Sequence, residues 1–344
     1  MFTIIKKILN RLTKGYAWFM PYRFRYRQSK KKNILIFAQR RGASTLLQQI
    51  LSIDKHTRVV SEPFDMFRNQ SRADKMKRLQ LPHKFFSQFI SLDEPEREKV
   101  INYTKNFLSG AFNELGAYSY ANRTVAKILN AHPLIDELTK IFETNTILFL
   151  RHPVAQAHSL VRNGWGYTAK AYLADEVFCM NYLSENQYEE AKRVMEEEEA
   201  LEKAVLSWCL ENLYPLKHSH CKKIVLTYEE LLINQDEVLN ILSNEFQVKN
   251  IQTMNKVLKA PSTSVHRSTK ETIIQIINQD KVKLLNKWQS KLSNKQLKTI
   301  QTIFDLFKIT EYSANTIIPN KSLFLCKNSH KLFGNIENDG RSLN

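Results

Sequence analysis

Two short segments hold the residues whose types and spacing suit chemistry. Gln39-Arg40-Arg41-Gly42-Ala43-Ser44-Thr45 follows the apolar run Ile34-Leu35-Ile36-Phe37. Arg151-His152-Pro153, with Ser159 eight residues after the arginine, follows Ile147-Leu148-Phe149-Leu150. Each apolar run predicts a buried strand, and each loop opens into a helical pattern. A strand, a tight basic loop and a helix N-terminus make an anion site, because unpaired backbone N–H groups and the positive dipole end converge there. Two such sites in one α/β domain fit a ligand with two separated phosphates. A basic helix cap at Arg41, Ser44 and Thr45, and a salt-bridged Arg151 at a sheet edge, are the alternatives without a ligand.

The chain contains no Gly-Lys-Ser/Thr, so the first loop is not a Walker motif, and ATP or GTP hydrolysis is disfavoured. Arg151 and Ser159 can reach one phosphate if the helix folds back over its strand end. Glu62 directly follows a short strand near Arg58–Val60, which puts it at the mouth of the site. It is a candidate general base, or else a structural acceptor for Arg41. Lys127 ends a strand over 123–128, where a lysine rarely serves packing; it is a candidate catalytic cation or a structural partner of Glu62. Tyr228 is either an adenine contact or a core tyrosine.

The first loop resembles the 5′-phosphosulfate loop of the sulfotransferases that use 3′-phosphoadenosine-5′-phosphosulfate (PAPS). The segment from Arg151 to Ser159 resembles their 3′-phosphate motif. Glu62 in Val60-Ser61-Glu62-Pro63-Phe64 and Lys127 in Val125-Ala126-Lys127-Ile128 match residues of the carbohydrate and tyrosylprotein branches. Leu226-Thr227-Tyr228-Glu229-Glu230-Leu231, Pro261 to Thr269, and Trp288-Gln289-Ser290-Lys291-Leu292-Ser293 are similar to three later motifs, in the same order. The resemblance implies a three-layer doubly wound parallel α/β sheet with a P-loop-like core and helical insertions. It implies PAPS as co-substrate without a metal, held by Arg41, Gly42, Ala43, Ser44, Thr45, Arg151, Ser159, Tyr228, Arg267 and Ser268. Glu62, Lys127 and Arg41 would be catalytic, and the acceptor a glycan or glycolipid hydroxyl. A nucleotide-dependent kinase and a catalytically silent nucleotide-binding module at a membrane surface are the other readings. Two departures stand out. Gly42-Ala43 replaces a Ser-Gly order, which predicts a left-handed position moved by one residue. His152 replaces an Asp, which bears on local geometry.

The elements that must position these residues follow from periodicity. Strands are predicted over 33–38, 58–60, 123–128, 146–150 and 223–227, and helices over 44–53, 133–143, 153–162 and 234–245. The stretch 63–118 reads mainly helical, as do 280–291 and 294–308. One long helix is predicted over 185–214, with Glu196–Glu199 a solvated face paired with Lys192, Arg193 and Lys203. His218-Ser219-His220-Cys221 has no partner at ligand spacing, which argues against a metal. His132 and His152 precede prolines and read as turn or capping residues.

The net charge of +17 looks like a nucleic-acid signal, but ten Lys or Arg and no acid fall within residues 1–32, leaving +7 for the rest. Residues 1–32 therefore form a basic arm, 33–315 the α/β domain and 316–344 a polar tail. Phe2, Ile4, Ile5, Ile8, Leu9 and Leu12 recur at helical spacing among lysines, before Tyr16, Trp18 and Phe19. Such an arm, residues 1–28, suits either an anionic membrane surface or the domain's own surface. It is too charged to span a bilayer and lacks a signal-peptide core. Four cysteines without framework spacing favour a reducing, cytoplasmic compartment, with peripheral membrane contact an option.

Overall fold

Ile34–Ala38 (β1) is buried at all five positions, as expected of a central parallel strand covered on both faces. Its side chains alternate: Leu35 and Phe37 enter one hydrophobic cluster, Ile34, Ile36 and Ala38 the other. The computed structural model describes residues 31–66, 79, 89–110, 121–263 and 268–320.

After β1 the chain forms α1 (Ser44–Leu51), β2 (Thr57–Ser61), α2 (Glu94–Ser109), β3 (Arg123–Ile128), α3 (Ile135–Ile141) and β4 (Asn145–Leu150). Then come α4 (Pro153–Arg162), α5 (Ala169–Leu173), α6 (Glu176–Tyr182), α7 (Glu185–Glu197), α8 (Ala200–Leu213) and β5 (Ile224–Thr227). The last helices are α9 (Tyr228–Ile233), α10 (Gln235–Phe246), α11 (Ile251–Leu258), α12 (Lys270–Ile277), α13 (Lys281–Asn286) and α14 (Asn294–Leu306). The five strands are parallel, in the order β2-β3-β1-β4-β5. The expected doubly wound sheet is therefore present.

From β1 the chain first builds outward through β2 and β3, then resumes on the other side with β4 and β5. The strand order thus reverses between β1 and β4, and the loops after these two strands diverge to leave a crevice at the carboxyl edge. Both predicted anion loops sit there. The register Ser61↔Lys127 and Ile36↔Lys127 brings the end of β2 beside β3, so Glu62, the next residue, meets Lys127 across the ladder.

Two predicted helices have different bounds. The stretch 185–214 is two helices, broken where Glu198 and Glu199 are extended. Four successive carboxylates at the negative end of α7 are unfavourable, whereas Glu199 and Glu202 suit the positive start of α8. The acidic run is therefore a junction rather than one helical face. Arg193 gathers Glu190, Glu197 and Glu198, Lys192 holds Glu189, and Lys203 makes no ion pair among the described residues. Of the stretch 63–118, the described residues show α2, opened by an Asp93–Glu96 capping box with Pro95 inside its first turn. Much of the remainder lies outside the described residues. Of the predicted tail, Ile318 is buried and Asn320 donates to the carbonyls of Glu311 and Thr310, so residues 316–320 pack on the domain.

Candidate active site

The crevice is a cleft of about 1260 Å³ lined by Arg41, Ala43, Ser44, Thr45, Glu62, Lys127, Arg151, Ser159, Tyr228 and Ser268, among others. Ten predicted site residues thus come together. Gly42 lies inside the first loop, and Arg267 lies outside the described residues.

The loop after β1 places its strained positions on either side of the glycine. Arg41 and Ala43 have φ of 64° and 62°, while Gly42 is not left-handed. Gly42 is needed for space instead: an added Cβ would lie 3.0 Å from the Gln39 carbonyl oxygen and 3.5 Å from Gln156 Oε1. The moved left-handed position expected from the Gly-Ala order is therefore two positions. Ala43 is also the N-cap of α1 and offers no side-chain cap, so orphan N–H groups at the helix start face the cleft without a built-in acceptor.

Lys127 links the loop to the end of β2. Its Nζ donates to Thr45 Oγ1 at 3.0 Å and lies 2.8 Å from Glu62 Oε1. Both side chains are almost wholly buried, and the Glu62 N–H donates to the Lys127 carbonyl at 2.8 Å. Glu62 itself sits at φ 56°, a conformation that turns the chain out of β2 and aims the carboxylate at the lysine. Three residues on, Asp65 pairs with Arg40 at 3.1 Å.

The β4 loop converges on the same point. Arg41 Nε donates to Ser159 Oγ at 2.9 Å, and Arg151 donates to the Arg41 carbonyl at 3.0 Å. Arg41 of the β1 loop thus contacts both Arg151 and Ser159, eight residues apart on the β4 side. The Arg151 guanidinium lies 5.0 Å above the Tyr228 ring, so Tyr228 is both a core residue and a wall of the cleft.

His152 is fully buried and caps α4, its Nδ1 accepting from the Val154 N–H at 3.3 Å. That tautomer leaves Nε2 to donate to the Ser313 carbonyl at 3.2 Å. Burial holds the imidazole down to about 3, so it is neutral, and its ring stacks on Trp288 at 4.4 Å. The buried Glu229, pushed up to about 7 by burial, accepts the His152 N–H at 3.0 Å and the Tyr312 hydroxyl at 3.3 Å. An imidazole capping residue thus serves where the related motif has a carboxylate, and the C-terminal segment supports it.

Sequence reasoning missed the far wall. Arg162, Lys287 and Lys291 join Arg151 there. Burial lowers Lys287 to about 8, helped by the like charges of Arg151 and Arg162. Three buried nitrogens on this wall, Arg151 Nε, His158 Nε2 and Trp288 Nε1, have no hydrogen-bond partner among the described residues. Crowded cations on one wall of a cleft are the complement of an anion. In sequence the only pointers to it were Lys291 inside the Trp288 motif and Lys287 just before it. Elsewhere, Ser219 and the His220 N–H both donate to Asp136, the segment's structural anchor, and no metal-binding cluster is found among the described residues.

No curated protein matches the chain in sequence. Three solved structures are similar over most of its length at low identity. A mouse sulfotransferase complexed with PAP shares 12% identity over 92% of this chain and 91% of that one, with a TM-score of 0.40. The sulfotransferase domain from the curacin biosynthetic pathway shares 18% over 82% and 99%, with a TM-score of 0.46. That of a Synechococcus olefin synthase shares 17% over 84% and 98%, with a TM-score of 0.41. The Sulfotransferase family profile matches residues 33–249, well over half of the chain. That span runs from β1 to just past α10 and includes both anion loops, Glu62, Lys127 and Tyr228. The chain belongs to the sulfotransferase family.

Proposed function

We propose that this sulfotransferase transfers a sulfuryl group from PAPS to an acceptor hydroxyl on a glycan or glycolipid. The observation that carries the cofactor assignment is the far wall: Arg151, Arg162, Lys287 and Lys291 line the same cleft as the Lys127–Thr45 pair. PAPS supplies an activated sulfuryl group at one end and a 3′-phosphate at the other.

In this reading Arg151, Ser159 and Lys287 hold the 3′-phosphate, and the α1 N-terminus with Arg41 and Thr45 holds the 5′ end. Ser268 belongs to the nucleotide wall, and Arg267 is assigned there by its motif alone. Tyr228 offers a ring to the nucleoside. Lys127 and Arg41 neutralise charge as the bond to the leaving phosphate lengthens, in the manner of loose phosphoryl-type transfers. Glu62 accepts the hydroxyl proton, which it can do once Lys127 turns its ammonium toward the sulfuryl oxygens. The saccharide acceptor rests on Glu62 standing where the carbohydrate branch has its acid. Residues 1–28 are proposed as a peripheral contact with anionic lipid, beside a domain over 33–315 in a cytoplasmic enzyme. Among the described residues no helix is long and apolar enough to cross a membrane.

The test is ligand-induced thermal stabilisation. Adenosine 3′,5′-bisphosphate should raise Tm well above the effect of AMP, since a ligand that binds only the native state stabilises it by mass action. Arg151→Ala should erase most of that difference by removing a charge-assisted contact worth about 1.5–3 kcal/mol. Equal shifts from AMP and the bisphosphate in the unmodified protein would refute the assignment.

A further inference from the structure

Hydrogen bonds join the two anion loops in two layers, one on the cleft face and one beneath it. On the cleft face Arg41 donates to Ser159, and Arg151 donates to the Arg41 carbonyl. Beneath them lies the buried side chain of Gln39. Its oxygen accepts from Gln156 Nε2 on α4 at 3.0 Å, and its nitrogen donates to the Trp208 carbonyl on α8 at 3.3 Å. The Trp208 indole N–H in turn donates to the Arg151 carbonyl at 3.1 Å. Trp208 is thus a common post: its side chain holds the β4 loop and its main chain the β1 loop.

An amide suits this place. A buried side chain that donates to one partner and accepts from another must carry both groups, as glutamine does. A glutamate would lose the donor and set a second carboxylate against the buried Glu211, which burial pushes up to about 7 and which Gln39 helps to hold down. Trp208 lies inside α8, where the helix ladder supplies its carbonyl with a donor, and Asn212 Nδ2 donates to it as well at 3.0 Å. The helix therefore does not need the Gln39 bond, whereas the loop does. The Gln39 carbonyl accepts the Gly42 N–H at 3.2 Å, so its placement passes to the turn that carries Arg41.

We propose that Gln39 is a positioning residue that keeps the two loops in register once the cofactor has taken over the cleft-face bonds. This rests on the PAPS reading above, in which Arg151 and Ser159 turn to the 3′-phosphate and Arg41 to the 5′ end. The bonds among those three residues are then given up, and the buried bonds from Gln39 to Gln156 and Trp208 remain. A ligand that spans both loops binds well only where the two half-sites already stand at the right separation. A ligand that occupies one loop is indifferent to that separation.

The experiment replaces both amides together, Gln39→Met with Gln156→Met. Exchanging a hydrogen-bonded pair for apolar groups of similar shape orphans neither the second amide nor the Trp208 carbonyl. The free protein, which keeps its cleft-face bonds, should melt within about 4 °C of the parent. Calorimetric binding is then measured for adenosine 3′,5′-bisphosphate, which spans both loops, and for 5′-AMP and 3′-AMP, which each occupy one. Bisphosphate affinity should fall by about tenfold, while each monophosphate changes by less than about threefold. A bisphosphate loss no greater than that of the monophosphates overturns the proposal, because the loops then keep their separation without Gln39. A double variant that fails to fold also overturns it, by making Gln39 a residue of the core. Failure of the bisphosphate to bind the unmodified protein is a separate result: it removes the PAPS reading, and this inference with it.

Discussion

Lys127 Nζ lies 2.8 Å from Glu62 Oε1 and 3.0 Å from Thr45 Oγ1, so one buried ammonium joins the proposed base to the phosphate loop. An ammonium so placed can exchange one partner for another without leaving the site. That exchange is what would release the carboxylate when an anion arrives at the loop.

Glu62→Gln keeps the shape and a hydrogen-bonding group but cannot take a proton. Single-turnover transfer should fall by about 10²–10⁴-fold, the usual worth of a general base. Affinity for adenosine 3′,5′-bisphosphate should change by less than about tenfold, or 1.4 kcal/mol. Near-normal transfer would move the base elsewhere. Joint loss of binding and transfer would make Glu62 a structural partner of Lys127.

Lys287 makes cofactor affinity pH-dependent. Its amine is lowered to about 8 by burial and by Arg151 and Arg162, so it loses its proton as pH rises through that value. Bisphosphate affinity should weaken from pH 7 to 9, and Lys287→Ala should flatten that part of the profile. The stability of the free protein runs the other way. A lysine whose pKa is lower folded than unfolded contributes stability that is full above its unfolded value, near 10.5, and is lost as pH falls through about 8. Titrating bisphosphate affinity and Tm across this range, with and without the substitution, checks both signs.

The loop predicts opposite outcomes for neighbouring substitutions. Gly42→Ala would set a Cβ 3.0 Å from the Gln39 carbonyl oxygen, which belongs to backbone that cannot yield cheaply. It should weaken bisphosphate binding by about tenfold or more. Ala43→Gly removes a side chain from φ 62°, a conformation costing about 1–2 kcal/mol for an alanine. That gain is offset by the extra freedom of glycine in the unfolded chain, so stability should stay within about 1 kcal/mol of the parent. Calorimetric binding and denaturant midpoints on both variants decide it.

Deleting residues 1–28 should leave soluble transfer largely intact and reduce binding to anionic vesicles, most clearly at low salt. Vesicle co-sedimentation beside a transfer assay tests the arm. A truncated protein that loses its fold or cofactor affinity would make the arm part of the domain.

Local features were legible in the residues themselves. A buried parallel strand must be apolar on both faces, and Ile34–Ala38 and Asn145–Leu150 appeared as such runs. Pro153 after His152 marked a helix start, and α4 has the predicted bounds, because a proline at the first helical position loses no hydrogen bond. Motif order placed Glu62, Lys127 and Arg151 at strand ends. What the residues could not show was anything set by distance across the fold. The break at Glu198–Glu199 depends on two helix dipoles and on Arg193 collecting carboxylates, a competition that periodicity does not weigh. The need for glycine at position 42 came from Gln39 and from Gln156 on another element, not from φ. Lys287, the residue just past α13, is an ordinary lysine in sequence until the fold brings it beside Arg151 and Arg162, where burial and like charge lower its pKa. Strand periodicity and helix caps are fixed by neighbours a few residues away. The Lys127–Glu62 pair needs β2 hydrogen-bonded beside β3, the support of His152 needs Ser313 packed back against the β4 loop, and the cation wall needs Lys287 beside Arg151, and none of these is set by neighbours in sequence.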